Sequence, residues 1–84
     1  MYYVYLLVNP TGRTYLGYTS DLKRRLAEHN SGIGQSNQWG LCYYEAYRSE
    51  SDARRREKAL KQSSQARRWL KERTRESREL RCKS

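Results

Sequence analysis

The chain has 84 residues, which is enough for one small domain but leaves no room for a second hydrophobic core. A formal net charge of +9 and a pI of about 9.9 indicate a polyanionic partner. Thirteen arginines against five lysines favour phosphate as the anion, because planar guanidinium groups match its oxygen atoms. Two cysteines and one histidine argue against a disulfide scaffold and against a structural zinc site.

The cysteines and the N-terminus predict the cellular compartment. Cys42 lies in a hydrophobic run and Cys82 in a charged tail, so both are expected to be free thiols in a reducing compartment. Residues 1–8 carry neither a basic leader nor a small-residue cleavage site, and they are too few to span a bilayer. A cytoplasmic protein with no membrane partner is therefore expected.

The first predicted element is a β-hairpin. Residues 2–8 are β-branched, aromatic and aliphatic, which is typical of a strand buried on both faces. Residues 9–12 (Asn-Pro-Thr-Gly) form a turn signature, because proline sets one dihedral angle and glycine tolerates positive φ. Residues 13–18 then return as a second, antiparallel strand.

The register of this hairpin decides which tyrosines meet. A four-residue loop gives an odd register, whereas a five-residue loop or a bulge at Gly12 gives an even one. In the even register Tyr5 lies opposite Gly17, which would leave an open floor where a ligand backbone could approach. Tyr5 and Tyr15 are the candidate functional pair, although most aromatic pairs across strands simply stabilise a sheet. Both registers stay open at this point.

A first helix is predicted over about 20–30, capped by Thr19 or Ser20 and with Asp21 in its first turn. Its spacing places Arg25 and His29 on the same face as two leucines. For His29 alone the structural interpretation is preferred, since histidines at the edge of a core are common. Arg25 is harder to explain in that way, because the adjacent Arg24 could have supplied a solvated charge.

The remaining elements complete an α+β domain. Residues 31–40 are a loop by composition, and residues 41–47 read as a third strand. A second helix follows, capped by Ser49 or Ser51 and running to about residue 61. With a third helix after it, the order is ββαβαα: three antiparallel strands flanked by helices. The chain is thus predicted to be a single domain over residues 1–84, with its core at about 2–61.

Glu57 is the most unusual residue of the second helix. Ala53, Glu57 and Leu60 lie at i, i+4 and i+7, which puts a carboxylate on an apolar stripe. Such a carboxylate needs a cation, a hydrogen-bond donor or a metal as its partner. The structural alternative is an ion pair with one of the many arginines. The arginines 54–56 point elsewhere on the helix, so a divalent cation is favoured.

The third helix is predicted over about 65–80, after a break at Ser63 and Ser64, and it is expected to pack through Trp69 and Leu70 alone. Its basic residues are Arg67, Arg68, Lys71, Arg73, Arg75, Arg78 and Arg81. A solvated, salt-bridged surface and a phosphate-binding surface are equally favoured. In the second case the helix would bind phosphate without sequence preference, and its affinity would fall steeply with salt.

Five positions in chain order carry a resemblance to a known family. Tyr3-Val4-Tyr5 and Tyr15-Leu16-Gly17 resemble the paired signature of the GIY-YIG endonucleases, and Arg25, His29 and Glu57 continue the match. The resemblance covers roughly residues 2–61. As a whole, the chain resembles the short stand-alone members that are related to the nuclease module of the UvrC excision-repair subunit.

The resemblance implies a DNA endonuclease that uses one Mg²⁺ or Mn²⁺ ion. By analogy, Glu57 ligates the metal and Arg25 contacts the scissile phosphate. Tyr5 and Tyr15 position or activate the attacking water, and the resemblance leaves open which of them is the general base. His29 assists or orients the phosphate. A tyrosine base would need a pKa below its usual value of about 10.

The chain departs from the family pattern at two places. Tyr3 replaces the first glycine of the signature, which removes no catalytic group. The loop residues 35–38 are uncharged where relatives carry lysine and threonine, which argues against this loop as a phosphate clamp.

The predicted substrate is DNA, with specificity for structure rather than sequence and a role in repair or recombination. The residues assigned to nucleic-acid contact are Arg24, Arg25, Arg54, Arg67, Arg68 and Lys71. A domain this small favours a protein partner or a homodimer for recognition. The main alternative is a catalytically weak nucleic-acid-binding module of the same fold. An RNA-associated basic protein is a third interpretation, which rests on charge alone.

Overall fold

The computed structural model describes residues 1–31 and 38–83 and has the predicted α+β architecture. Its elements are β1 (Tyr2–Val8), β2 (Thr14–Thr19), α1 (Leu22–Asn30), β3 (Gly40–Tyr47), α2 (Glu50–Gln62), α3 (Ser64–Arg73) and α4 (Arg75–Lys83). The three strands form one antiparallel sheet in the order β2-β1-β3. Within the described ranges, no helix is long and apolar enough to cross a membrane.

The central strand β1 divides the domain into two faces. Its even-numbered residues lie on what we call the helix-covered face, where Val4 and Leu6 form the core with Ala53, Leu60 and Leu70 of the helices. Its odd-numbered residues lie on the opposite side, the tyrosine face, which is defined by Tyr3, Tyr5, Tyr15 and Tyr44. Because β1 is central and both its sides are covered, residues 4–8 are all buried. The prediction of a strand buried on both faces is confirmed.

The hairpin adopts the even register. The loop between the strands has five residues, since Val8 pairs with Thr14. The Asn9 side chain organises this loop: its Oδ1 accepts hydrogen bonds from the Thr11 backbone N–H at 3.1 Å and from the Arg13 backbone N–H at 2.9 Å. Gly12 takes a φ of +90°, a conformation that favours glycine. The loop therefore fixes Tyr5 opposite Gly17.

The start of α1 differs from the prediction. Asp21, not Thr19 or Ser20, is the N-cap, and its side chain accepts the Arg24 backbone N–H at 3.1 Å. Thr19 is buried, and its hydroxyl accepts the Asp21 backbone N–H at 3.1 Å in the turn before the helix. The helix therefore begins later because Thr19 is still part of β2. Ser49 is the N-cap of α2, which confirms the first of the two predicted caps, Ser49 and Ser51.

The predicted single helix over 65–80 is two helices. Thr74 separates α3 from α4, and its buried hydroxyl donates to the Leu70 carbonyl at 2.9 Å. A threonine that bonds the preceding turn favours a helix end or bend. The break returns α4 to the sheet, where it contacts β3 and β1. Packing through Leu70 is confirmed, but packing through Trp69 was wrong, because Trp69 is 65% exposed.

Candidate active site

Tyr5 lies at the centre of the site and is packed against Gly17. A Cβ atom on residue 17 would be 2.6 Å from the Tyr5 hydroxyl oxygen and 2.9 Å from its Cζ. Glycine is therefore required so that the phenol of Tyr5 can lie across β2. The expected open floor for a ligand is wrong, since the Tyr5 ring itself fills that space. The consequence is a buried phenol held in one position by the sheet.

His29 reaches Tyr5 from α1. The Tyr5 hydroxyl and His29 Nε2 are 3.3 Å apart, across 24 residues of sequence. Burial, and then the positive charge of Arg25, lower the pKa of His29, so its imidazole is neutral at neutral pH. Burial first, and then Tyr15, raise the pKa of Tyr5 to about 12. When the neutral imidazole carries its proton on Nδ1, Nε2 is an acceptor and the Tyr5 hydroxyl donates to it.

Tyr15 and Trp39 build the outer wall around this pair. The Tyr15 ring stacks on Tyr5 with centroids 6.3 Å apart, and it lies 4.5 Å from the His29 ring. Trp39 contacts Tyr15 at 6.3 Å and His29 at 6.4 Å, in edge-on geometry. Asn30 holds Trp39 in place: its amide N donates to the Trp39 carbonyl at 3.0 Å, and its Oδ1 accepts the Trp39 backbone N–H at 2.8 Å. The Tyr15 and Trp39 rings thus flank the Tyr5–His29 contact on one side.

Arg25 carries a hydrogen-bond donor with no acceptor. Its Nη1 forms an ion pair with Glu28 at 3.6 Å on the helix surface. Its Nε is buried and has no partner among the described residues. Buried N–H groups are almost always paired, so an unpaired one indicates a place for an anion or a water. The positive charge of Arg25 contributes to the lowered pKa of His29. It also acts to lower the pKa of Tyr5, where burial outweighs it.

Glu57 lies on the apolar stripe that its spacing predicts. Ala53 and Leu60 on either side are fully buried, and the Glu57 side chain is 20% exposed. Its ion pair is with Lys61 at 3.5 Å, one helical turn away. The Lys61 ammonium lies 6.0 Å from the centre of the Tyr15 ring, which connects Glu57 to the aromatic wall. Glu57 also acts on Tyr5, whose pKa it helps to raise.

A comparison with known protein families identifies the domain that carries these residues. A model of the GIY-YIG catalytic domain matches residues 1–72 of the chain. This chain belongs to the GIY-YIG family. The predicted resemblance is thereby confirmed, and family membership implies a nuclease domain.

The relatives include short proteins of the same kind. The chain is 42% identical over 71 residues to a UPF0213 protein of Halobacterium salinarum, covering 79% of this chain and 92% of that protein. It is 40% identical over 67 residues to a UPF0213 protein of Streptococcus agalactiae, covering 74% of this chain and 76% of that protein. The solution NMR structure of a UPF0213 protein from Bacillus halodurans is 34% identical, with a TM-score of 0.55 over 83% of this chain and 82% of that one. These matches confirm the fold class.

The carboxylate of Glu57 is the oxygen ligand that the candidate site offers to a metal. Within residues 1–31 and 38–83, no group of three or more histidine, cysteine, aspartate or glutamate side chains could hold an ion by itself. Glu57 supplies one carboxylate. Its single ion pair with Lys61, at 3.5 Å, can be exchanged for a metal ion. One carboxylate suits Mg²⁺, which keeps several waters and takes further ligands from a substrate phosphate. The residues present therefore fit a hard divalent cation.

The six residues assigned to nucleic-acid contact lie on three different helices, α1, α2 and α3. Arg24 lies on α1, beside the site, and pairs with Glu28 at 3.8 Å. Arg54 lies over the Tyr18 ring at 5.8 Å. Arg67 donates to the Leu60 carbonyl at 3.4 Å and also to that of Lys61, so its guanidinium caps the end of α2. Arg67 therefore has a structural role that the sequence did not predict.

Arg68 and Lys71 remain as the phosphate candidates of α3. They line an open hollow of about 380 Å³ together with Ser64, Arg67, Glu72 and Arg78. Arg78 donates to the Lys71 carbonyl at 2.6 Å and thus closes the end of α3. Residues 35–37 of the uncharged loop lie outside the described residues.

Two residues of the site were missed from the sequence. Trp39 lies in the segment predicted as a loop, and its contact with His29 depends on the Asn30 side chain, nine residues away. Lys61 is four residues after Glu57, a spacing that could have identified the ion pair. The many arginines of the chain made lysine the less obvious partner for Glu57.

Proposed function

We propose that this protein is a divalent-metal-dependent DNA endonuclease that hydrolyses phosphodiester bonds. The observation that carries the proposal is the environment of Tyr5. Its hydroxyl contacts His29, and the charges of Arg25 and Glu57 both act on its pKa. A phenol and an imidazole are thus in contact, with a guanidinium and a carboxylate near enough for their charges to act on the phenol, in a GIY-YIG domain.

Tyr5 and His29 would form the proton path of the reaction. Tyr5 is the better general base of the two tyrosines, because its hydroxyl lies 3.3 Å from His29 Nε2, which accepts its proton in the Nδ1–H tautomer. As Tyr5 accepts a proton from the attacking water, it passes its own proton to the neutral imidazole. A raised pKa does not prevent this step, because no free phenolate has to accumulate. Tyr15 would orient the water and keep the Tyr5 ring in place.

Arg25 would stabilise the phosphate as negative charge builds on it. Its buried Nε has no acceptor among the described residues, so a phosphate oxygen would satisfy it. A preorganised donor of this kind costs no reorganisation when the reaction occurs. A Mg²⁺ or Mn²⁺ ion held by Glu57 would polarise the phosphate and lower the pKa of bound water.

The substrate would be recognised by structure rather than by sequence. A net charge of +9 supports backbone binding, and Arg24, Arg68 and Lys71 are exposed for phosphate contact. We propose repair or recombination as the biological context, a protein partner or a homodimer for targeting, and the cytoplasm as the location.

The decisive experiment is a cleavage assay on supercoiled plasmid and on duplex, flap and branched oligonucleotides, with Mg²⁺, Mn²⁺ or EDTA. We expect cleavage with either metal, none in EDTA, and a loss of at least about 10²-fold in Glu57→Ala. Glu72→Ala is the matched control, because Glu72 is an exposed acid on α3. Cleavage that persists in EDTA or in Glu57→Ala would rule out the proposed metal role. DNA binding without cleavage of any substrate would instead favour the binding-module alternative.

A further inference from the structure

Tyr44 is an exposed aromatic residue beside the proposed catalytic tyrosine. It is the Cα partner of Tyr5 across the β1–β3 pairing, so the two side chains share the tyrosine face. Neighbouring antiparallel strands place such partners roughly 5 Å apart. Tyr44 is nevertheless 53% exposed, whereas Tyr5 is buried. None of the roles proposed above for the nuclease uses Tyr44.

A second tyrosine holds Tyr44 in a fixed orientation. Tyr3 packs against it edge to face, with ring centroids 5.8 Å apart and an interplanar angle of 69°. The two rings line an open groove of about 340 Å³ with Ser20, Asp21, Leu22 and Lys23. A flat aromatic surface supported from one side and open on the other is suited to stacking.

The charges around this groove favour a nucleic-acid base as its occupant. The chain carries a net charge of +9, and Lys23 lines the groove beside Arg24 and Arg25 of the same helix. Asp21, also in the groove, would repel a phosphate, and its side chain is engaged as the cap of α1. The groove is therefore better matched to an uncharged base, with the phosphates on the basic helix beside it.

We propose that Tyr44, supported by Tyr3, stacks an unpaired base of the DNA strand next to the scissile phosphate. The inference rests on the proposed nuclease function, because it assumes that the scissile phosphate lies at Tyr5 and Arg25. It names the substrate class more closely: DNA with a single-stranded or unstacked nucleotide at the cleavage point. Intact duplex keeps its bases stacked on each other and presents none to the groove.

The test is a binding measurement that needs no cleavage. Forked oligonucleotides carry 2-aminopurine at successive unpaired positions beside the junction, and the full chain is titrated in EDTA. We expect quenching at one position and its loss in Tyr44→Ala, with affinity for forked DNA reduced about five- to 150-fold, the range for one base–aromatic stack. Tyr44→Phe should retain both signals. Tyr44→Thr, a good strand former, replaces the alanine variant if that one does not fold.

Trp69→Ala is the control, because Trp69 is an equally exposed aromatic residue on α3. Its quenching and affinity should match those of the unaltered chain. Equal binding of forked DNA by Tyr44→Ala would overturn the proposal, and so would an equal loss on intact duplex. A changed oligomeric state with unchanged DNA binding would instead make this face a protein interface. Because no cleavage is measured, absence of nuclease activity would leave the stacking result interpretable.

Discussion

Two polar clusters of the molecule, one around Glu45 and one around Tyr5, use the same chemical groups in opposite ways. On the helix-covered face, Glu45 binds Arg56 through two hydrogen bonds, of 2.9 and 3.0 Å. Tyr43 and Tyr47 donate to the same carboxylate at 2.5 and 2.7 Å. Burial raises the pKa of Glu45, but the hydrogen bonds of Arg56, Tyr43 and Tyr47 outweigh it and lower the pKa to about 2. Every polar side chain in this cluster is thus hydrogen-bonded to another member of the cluster.

Around Tyr5 the corresponding groups, which come from β1, α1 and α2, are left partly unused. Glu57 has a lysine at 3.5 Å instead of a bidentate arginine, and the Nε of Arg25 has no acceptor in the part of the chain that the structure describes. Tyr5 is in contact with a neutral histidine rather than a carboxylate. A saturated cluster stabilises a fold, whereas an unsaturated one has capacity left for a ligand. The difference locates the candidate site more clearly than residue type does.

The largest expected effect on the cleavage rate comes from Arg25 of the cluster around Tyr5. Arg56 of the cluster around Glu45 serves as its structural counterpart. Arg25→Ala should lower the cleavage rate by about 10²–10³-fold, because one preorganised donor to the phosphate is lost. Arg25→Lys should restore little, since lysine has no planar group to place a donor at the Nε position. The measurement is single-turnover cleavage with saturating metal.

Two controls accompany the Arg25 variants. Arg24→Ala removes an adjacent exposed charge that is proposed to contact the DNA backbone, so it should weaken DNA binding but change the single-turnover rate at saturating DNA only slightly. Arg56→Ala should lower the free energy of unfolding and leave the rate per folded molecule unchanged. Equal losses of activity in the variants of Arg24 and Arg25 would show that α1 contributes general charge and no specific contact.

A smaller effect is expected from filling the space beneath Tyr5. Gly17→Ala places a Cβ 2.6 Å from the Tyr5 hydroxyl, and this buried ring has little room to move. Displacing the phenol by about 1 Å should cost up to roughly 10²-fold in cleavage rate. Gly12→Ala is the matched control: it has open space but a φ of +90°, so it should cost about 1 kcal/mol of stability and no activity. A Gly17→Ala variant with full activity would contradict the proposed role of Tyr5.

The smallest effect is expected in the saturated cluster around Glu45, and it concerns the stability of the fold. The pKa of Glu45 in the folded chain, about 2, lies below its usual value of 4.5. Its stabilisation is therefore fully present above about pH 4.5 and is lost as the pH falls towards 2. Glu45→Gln should lower the free energy of unfolding by about 1–3 kcal/mol at pH 7 and flatten its decline in acid. Urea unfolding between pH 2 and pH 7 measures both.

Glu57→Gln is the comparison for that experiment, and because it removes a single ion pair of 3.5 Å it should lower the free energy of unfolding at pH 7 by less than Glu45→Gln does. If Glu45→Gln retained the full decline between pH 4.5 and pH 2, the cluster on the helix-covered face would not be the source of the acid sensitivity.

The sequence alone determined the strands, the family and the five candidate positions. Residues 2–8 are apolar throughout, which suffices for a central strand, and the helical spacing of Glu57 by itself marks that residue as unusual. These are local patterns, and they depend on residues at most seven positions apart. The order of the five family positions is also readable without a fold.

The tertiary structure decided how the polar groups are paired. Glu45 meets Arg56 across 11 residues, and Tyr5 meets His29 across 24, contacts that no local periodicity encodes. The helix break at Thr74 likewise follows from the burial of its hydroxyl and the return of α4 to the sheet. Burial and hydrogen-bond saturation depend on which elements pack together. The two carboxylates are similarly buried, with 16% and 20% of their side chains exposed, so hydrogen-bond saturation is what separates the structural Glu45 from the candidate metal ligand Glu57.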